Sequence, residues 1–294
     1  MNYIDPLAVL SRLSERDLAV IDDIENFRLL TTRLIQRSHF PAGDGQHAST
    51  DSATRQTMRV LSRLAEHGVI RHLERRIGGV RHGSQGYIWQ LTSTGANLQR
   101  TRRGETTKRR YIEPSTLFTD HTLAIAELGV TIRELADGGA LEILRLQTEP
   151  DCWREYVGPH GAPLTVKPDL HIVTATPEFE DHLFLEADLG SEHMPQILAK
   201  CRAYASYHAT GIEQHQRGVF PAVLWVVQNE ARAGQLRRAI RTDTALPQEL
   251  FTVVTRAEFA GHLIGVKDPP SEPAATSSIN SSPRKEEPPH GTSP

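Results

Sequence analysis

Apolar positions in the first hundred residues recur mainly at helical spacing, and this predicts three helices. Ser14 can cap the first of them, with Asp17 three residues on as its capping-box partner. Thr31 can cap a second, short helix. A third begins at Ser52 and ends at Gly68, a glycine in the position that commonly closes a helix. The alternating runs VIRHLERR and YIWQLT then predict two strands and a hairpin before one more helix.

Positive charge is concentrated on the third helix and on the glycine-rich loop between the two strands. Residues 52–111 hold 13 Lys and Arg against 3 Asp and Glu. Three helices followed by a basic hairpin are the layout of a winged helix-turn-helix, whose helix fits the DNA major groove while arginines hold phosphates. A solvated arginine-rich helix, or a winged helix used for protein contacts, is the alternative. The candidate DNA contacts are Arg55, Arg59, Arg63, Arg75, Arg76 and Arg81.

The pattern changes after residue 115 to a helix, three strands, a helix, a strand, a helix and a final strand with a short helix. The run FPAVLWVVQN is apolar throughout, as a central parallel strand would be. This order predicts a mixed sheet with helices on both faces, an α+β or α/β fold. The predicted division is a winged helix at 10–100, a basic linker at 101–114, the mixed-sheet domain at 115–266 and a disordered Pro/Ser-rich tail at 267–294.

Bulk composition narrows the class of protein. The chain has 294 residues, 38% hydrophobic and 23% charged, which is typical of soluble globular proteins. No apolar run approaches the roughly 18 residues of a membrane span, so no membrane partner is expected. Cys152 and Cys201 fit no metal spacing, and two isolated thiols favour a reducing cytoplasmic setting. No phosphate-binding loop motif occurs, so no nucleotide cofactor is predicted.

Carboxylates gather in the stretch LTVKPDLHIVTATPEFEDHLFLEADLG, residues 164–190. Asp169 follows a proline at one predicted strand, and Glu186 and Asp188 end the next. Because strand side chains alternate, Lys167 and Asp169 are expected on one face, as are Glu186 and Asp188. If those faces converge, Asp169 and Glu186 would hold Mg²⁺, the cofactor that oxygen ligands of this kind suit.

The order of elements and the spacing of Pro168-Asp169 and Glu186 resemble the restriction-endonuclease-like nuclease core, αβββαβ. That resemblance implies metal-dependent phosphodiester hydrolysis. It also implies a lysine two residues after the glutamate, where this chain has Asp188. Lys167, beside the proline, or Lys200, one helix downstream, could substitute. The candidate catalytic residues are Asp169, Glu186, Asp188, Lys167 and Lys200.

Two further side chains are candidates near these acids. Glu127, in the preceding helix, is a possible additional ligand or water-orienting acid. Among the histidines, His171 shares the predicted strand face of Asp169 and is the one worth testing. The alternatives to an active nuclease are a degenerate core kept for DNA binding or dimerisation, and acids that merely end strands.

Seven stretches between about residues 10 and 260 carry a further resemblance, among them TMRVLSRLAEHGVIRHLERRIGGVRHGSQGYIWQLTSTGANL and DHTLAIAELGVTI. Together they resemble the replication-relaxation family of actinobacterial plasmids and integrative elements. The resemblance implies a DNA-binding protein of plasmid replication and DNA relaxation, with a possible Mg²⁺-dependent nicking activity. The alternative is a non-enzymatic regulator or replication accessory protein. Double-stranded DNA is the expected partner, and a homodimer is plausible because half-site recognition favours two-fold symmetry. The matching stretches include RDLAVIDDIENFRLLTTRLIQRSHF, VKPDLHIV, FLEADLGSEHMPQILAKCRAYASYH and GVFPAVLWVV.

Overall fold

A computed structural model describes residues 6–43, 47–73, 87–105, 119–158 and 161–265 of the chain. The predicted contacts Arg75, Arg76 and Arg81 lie outside these residues, as does the predicted tail at 267–294. Most of the predicted linker is also outside, so the proposed domain boundaries stay a prediction.

Helices dominate the N-terminal region. The capping box of Ser14 and Asp17 forms as predicted, and Thr31 caps the next helix through the amide of Leu34. Gly68 adopts a φ of +67° behind the third helix, as predicted for a closing glycine. The elements are α1 (Pro6–Leu10), α2 (Glu15–Phe27), β1 (Leu30–Thr31), α3 (Thr32–His39), α4 (Thr50–Glu66), β2 (Ile70–His72), β3 (Ile88–Leu91) and α5 (Ser93–Arg102).

Two features of this region differ from the sequence-based expectation. The basic helix α4 starts two residues early, because Ser49 rather than Ser52 is its N-cap and Ser52 completes the capping box. A short strand that was not predicted, β1, pairs antiparallel with β3, so the described sheet has three strands in the order β1-β3-β2. Two residues are too few to give an alternating pattern in the sequence.

The C-terminal region follows the predicted αβββαβ order, with an added hairpin and short helices. Its elements are α6 (Thr119–Asp137), β4 (Glu142–Thr148), β5 (Arg154–Val157), β6 (Pro163–Val166), β7 (Leu170–Ala175), β8 (Glu180–Asp188), α7 (Met194–Ala209), α8 (Ile212–Arg217), β9 (Ala222–Val227), α9 (Glu230–Thr242), β10 (Phe251–Thr255) and α10 (Phe259–Leu263).

The mixed sheet is confirmed. Its strand order is β10-β9-β8-β7-β4, with β8, β9 and β10 parallel and β7 antiparallel to both of its neighbours. The apolar run predicted as a central parallel strand is β9, which lies between β8 and β10. Alternate residues of β9 face opposite sides: Leu224 and Val226 pack toward α6, whereas Val223 and Trp225 pack toward α7 and α9.

One predicted strand is wrong. The run LTVKPDLHIVTA is not continuous, because the chain leaves the small β5-β6 hairpin after Val166 and joins the main sheet only at Leu170. Lys167, Pro168 and Asp169 lie in the break. Proline removes a backbone donor and restricts the preceding residue, and both effects favour an interruption here.

A single apolar core runs from the N-terminal helices to one face of the main sheet. The helix α6 carries this contact. Gly129 lets the ring of Phe27 approach the α6 backbone, since a Cβ on Gly129 would lie 2.4 Å from two of its ring carbons. Arg37 of α3 forms ion pairs with Glu127 and Glu134, and Arg133 pairs with Asp23. The predicted winged helix and the predicted nuclease-like region are thus packed against each other.

Candidate functional site

The register of β7 and β8 brings Asp169 and Glu186 together. Leu170 pairs with Leu185 at the first step of the β7–β8 ladder, so Asp169, just before β7, lies next to the end of β8 that carries Glu186. The backbone amide of Asp169 donates to Leu185 O at 3.1 Å, and the amide of Ala187 donates to Asp169 Oδ2 at 2.8 Å. Side chains opposite each other on one face of a sheet lie close. The predicted meeting of these two acids is therefore seen in the fold.

Glu186 is only 1% exposed and lies beneath helix α7. Tyr204 Oη donates to its Oε1 at 2.7 Å, and Lys200 Nζ lies 3.3 Å from its Oε2. Burial raises the pKa of Glu186 well above its usual range, and the charge of Asp169 raises it further, although Lys200 and Tyr204 oppose the shift. The carboxyl therefore keeps a proton more readily than an exposed glutamate does.

Lys200 connects this buried acid to the surface. It lies in α7, 14 residues after Glu186, and its ammonium also lies 3.3 Å from Glu192 Oε1. Burial alone would lower the pKa of Lys200, but the charges of Glu186, Asp169 and Glu192 raise it overall. Of the two lysines considered as substitutes, Lys200 is therefore the one that lies beside Glu186.

His121, in the first turn of α6, completes the polar set. Its Nε2 lies 3.1 Å from Asp169 Oδ1, and this hydrogen bond raises the pKa of His121 despite its partial burial. Sequence spacing did not single out His121, because it is 48 residues from Asp169 and only the packing of α6 on one face of the sheet joins them. The side chains of His121 and Lys200 are partly exposed, whereas the two carboxylates that they contact are buried.

Three other predicted candidates are engaged elsewhere. Lys167 holds its ammonium 4.4 Å from the ring centre of Trp153 and does not share a strand face with Asp169, because the strand breaks between them. Glu127 pairs with Arg37 at the helix interface, so its expected place at the acids is wrong. His171 accepts from Arg154 in a buried network, where burial and then that arginine lower its pKa to about 3.

Asp188 shares its sheet face with Glu186, as predicted, but its carboxylate is occupied. Arg232 Nε lies 2.6 Å from its Oδ2, and the amide of Gly190 donates to Oδ1 at 2.7 Å. Arg232 was not foreseen, because it is 44 residues away at the start of α9. These contacts tie Asp188 to α9 and to the following loop rather than to Asp169.

The donor set suits a hard cation with few protein ligands. Within the described ranges, no group of three or more His, Cys, Asp or Glu side chains is arranged to hold a metal ion. Asp169 and Glu186 offer two buried carboxylates. The pKa of Glu186 is raised, and a bound cation would lower it again. Mg²⁺ commonly uses one or two carboxylates and completes its shell with water and substrate phosphate, so the residues fit that ion.

The arginines of α4 fall into two kinds. Arg55 and Arg59 are exposed and make no hydrogen bond or ion pair within the described part of the chain. Arg63 instead reaches the buried carboxylate of Asp17, with Nη2 2.5 Å from Oδ1. The three arginines thus differ in role. Arg55 and Arg59 have side chains available for a ligand, whereas Arg63 links α4 to α2.

Comparison with known proteins gives one family and one weak structural neighbour. A search of curated proteins found no match. A solved structure, the restriction endonuclease FokI bound to DNA, aligns over 90% of this chain and 70% of its own with 10% identity and a TM-score of 0.25, too low to establish a common fold. No helix among the described residues is long and apolar enough to cross a bilayer. Residues 21–223, more than half of the sequence, match the description "Replication-relaxation", and the chain belongs to that family.

Proposed function

We propose that the protein binds double-stranded DNA through its N-terminal region and cuts or nicks it at Asp169 and Glu186 with Mg²⁺. The family name indicates a role in replication and DNA relaxation, and a change in DNA topology requires a broken strand or a bound, deformed duplex. The observation that carries the proposal is the contact of Lys200 with Glu186 beside Asp169. Lys200 would supply the ammonium group that the chain lacks at position 188, where Asp188 stands.

The chain's own residues have separable roles in this proposal. Asp169 and Glu186 would hold Mg²⁺, which polarises a phosphoryl oxygen and lowers the pKa of a bound water. The partly exposed Lys200 would stabilise negative charge on the phosphate as water attacks phosphorus and the bond to the leaving oxygen breaks. The attacking water loses a proton to solvent, and the leaving oxygen takes up a proton from solvent. Tyr204 fixes one oxygen of Glu186, and His121 with the Ala187 amide fixes Asp169.

DNA binding is assigned to α4 and the hairpin that follows it. The order α2, β1, α3, α4, β2, β3 with a three-stranded sheet supports a winged helix-turn-helix. Exposed Arg55 and Arg59 would contact phosphates or base edges. A two-fold dimer on a symmetric site is part of the proposal, since paired half-sites need paired helices.

Cleavage is tested on supercoiled plasmid with Mg²⁺, Mn²⁺ or EDTA. The wild-type protein should give relaxed or linear product only with metal, and Asp169→Asn and Glu186→Gln should each lower the rate at least about a hundredfold. Glu180→Gln, on the same strand β8 but at its exposed start, is the matched control and should cut at the wild-type rate. Equal cutting by all four proteins would refute the assignment.

DNA binding is tested by titrating duplex at several salt concentrations. Arg55→Ala and Arg59→Ala should each weaken binding and reduce the slope of log K against log salt by about 0.9, the value for one lost phosphate contact. Arg63→Ala should change the slope less, because its guanidinium is engaged by Asp17. Arg238→Ala, an exposed arginine of α9, is the control. Unchanged slopes for Arg55 and Arg59 would remove α4 from the interface.

A second candidate is a DNA-binding protein without catalysis. The observation favouring it is Asp188, which stands where the resemblance expects lysine and is neutralised by Arg232. This candidate predicts a gel shift of intact plasmid with and without metal, and unchanged binding by Asp169→Asn. The cleavage assay above separates the two.

A further inference from the structure

The loop between β8 and α7, residues 189–193, is held by hydrogen bonds from Arg232 and to Asp188. Arg232 reaches it from α9: Nη2 donates to Glu192 O at 2.7 Å, while Nε and Nη2 lie 2.6 and 3.3 Å from the Asp188 carboxylate. Asp188 Oδ1 in turn accepts from the Gly190 amide. Gly190 has a φ of +78°, a left-handed conformation that glycine allows without strain.

This loop carries one of the two acids that orient Lys200. Glu192 Oε1 and Glu186 Oε2 each lie 3.3 Å from Lys200 Nζ, so the ammonium is suspended between a loop acid and a strand acid. Lys200 has a long flexible stem that by itself has many rotamers. The position of Glu192 therefore decides how much of the time the ammonium faces Glu186.

We propose that Asp188 and Arg232 are positioning residues that fix the loop 189–193, so that Glu192 holds Lys200 on Glu186. Asp188, which stands in place of the expected lysine, would then help to position Lys200 of α7. A lysine at 188 would have no such hold on Arg232, and the loop carrying Glu192 would lose its anchor. This proposal rests on the proposed phosphodiester site, but the contacts it invokes can be tested without cleavage.

Lysine acylation followed by mass spectrometry measures the hold on Lys200 directly. The chain has five lysines, Lys108, Lys167, Lys200, Lys267 and Lys285, so each site can be followed separately. An ammonium that contacts two carboxylates must leave both of them before it can attack the reagent, so Lys200 should react at least about fivefold slower than exposed Lys167. Arg232→Gln should raise the Lys200 rate about fivefold. Arg237→Gln, an ion-paired arginine of the same helix, should leave it unchanged.

Kinetics provide the second arm. Arg232→Gln should lower kcat for plasmid cleavage about tenfold and leave KM near wild type, because DNA contacts are not touched. In a Lys200→Ala background the same change should have little further effect, since both act through one group. If circular dichroism shows that Arg232→Gln is not folded, Asp188→Asn replaces it, because asparagine keeps the shape of the side chain. Asp188→Asn should show the same labelling and kinetic effects.

The outcomes separate cleanly. A folded Arg232→Gln or Asp188→Asn protein with wild-type Lys200 labelling overturns the positioning role. Additive effects of Arg232→Gln and Lys200→Ala on kcat overturn it as well. A wild-type protein that never cuts DNA refutes the proposed function instead, and the labelling result still decides whether Asp188 and Arg232 hold Lys200.

Discussion

Glu186 illustrates how much a single residue's surroundings change its chemistry. The sequence placed it at a strand end beside an apolar run, and that pattern predicted both its sheet face and its nearness to Asp169. Its burial beneath Tyr204 and Lys200 could not be predicted, because helix α7 reaches it by packing rather than by sequence spacing. The same limit explains why His121 and Arg232 were missed: each joins the site across more than 40 residues.

The raised pKa of Glu186 predicts a pH dependence of stability. An acid whose pKa is higher in the folded than in the unfolded protein binds its proton more tightly when folded, so it favours folding at low pH. That contribution is lost as pH rises through the folded pKa. Without metal, the free energy of unfolding should therefore fall between about pH 5 and pH 9 because of this group.

Urea unfolding in EDTA measures this effect. Glu186→Gln should flatten the fall and be more stable than wild type at the alkaline end, whereas Glu180→Gln should follow the wild-type curve. Saturating Mg²⁺ should also reduce the fall if the cation replaces the proton. Parallel curves for wild type and Glu186→Gln would mean that Glu186 is ionised throughout.

At the scale of elements, caps and periodicity were the most reliable guides. Ser14, Thr31 and Gly68 act as predicted because capping depends only on neighbours within a few residues. The strand before Asp169 was misjudged, since an apolar run does not reveal where a proline lifts the chain from one sheet to another. Strand β1 and the hairpin β5-β6 were missed because their pairing partners are distant or their runs are short.

Two glycines in helices give opposite predictions for the same substitution. Gly129→Ala in α6 should lower the free energy of unfolding by about 1–3 kcal/mol, because the new methyl group collides with Phe27. Gly234→Ala in α9 should raise it by about 0.5–1 kcal/mol, since no described atom lies within 4 Å of the new Cβ and alanine favours the helix. Chemical denaturation of both variants tests the pair. A stabilised Gly129→Ala protein would contradict the close contact of α2 with α6.

At the scale of the whole molecule, the shared apolar core predicts cooperative unfolding. The chain has three tryptophans, of which Trp89 reports on the N-terminal sheet and Trp225 on the main sheet. Two variants, each keeping one of these and replacing the other two with phenylalanine, should give fluorescence transitions with the same midpoint in urea. Separate midpoints would show that α6 does not join the two regions into one unit.

The sequence predicted the order of most helices and strands but not the contact between the N-terminal helices and α6. Charge and periodicity describe each region by itself, whereas the pairing of Arg37 with Glu127 and the fit of Phe27 on Gly129 arise only when α6 packs against α2 and α3. Composition therefore suggests a boundary between the two regions, whereas one apolar core contains residues of both.

That shared core should fix the distance between α4 and the two acids. With the proposed function, the DNA-binding helix α4 and the strands β7 and β8 beside Asp169 and Glu186 are joined through one apolar core. The cut should then lie a constant number of base pairs from the bound sequence in every DNA target. Sequencing the new ends would return one sharp distance, set by the length of protein between α4 and β8.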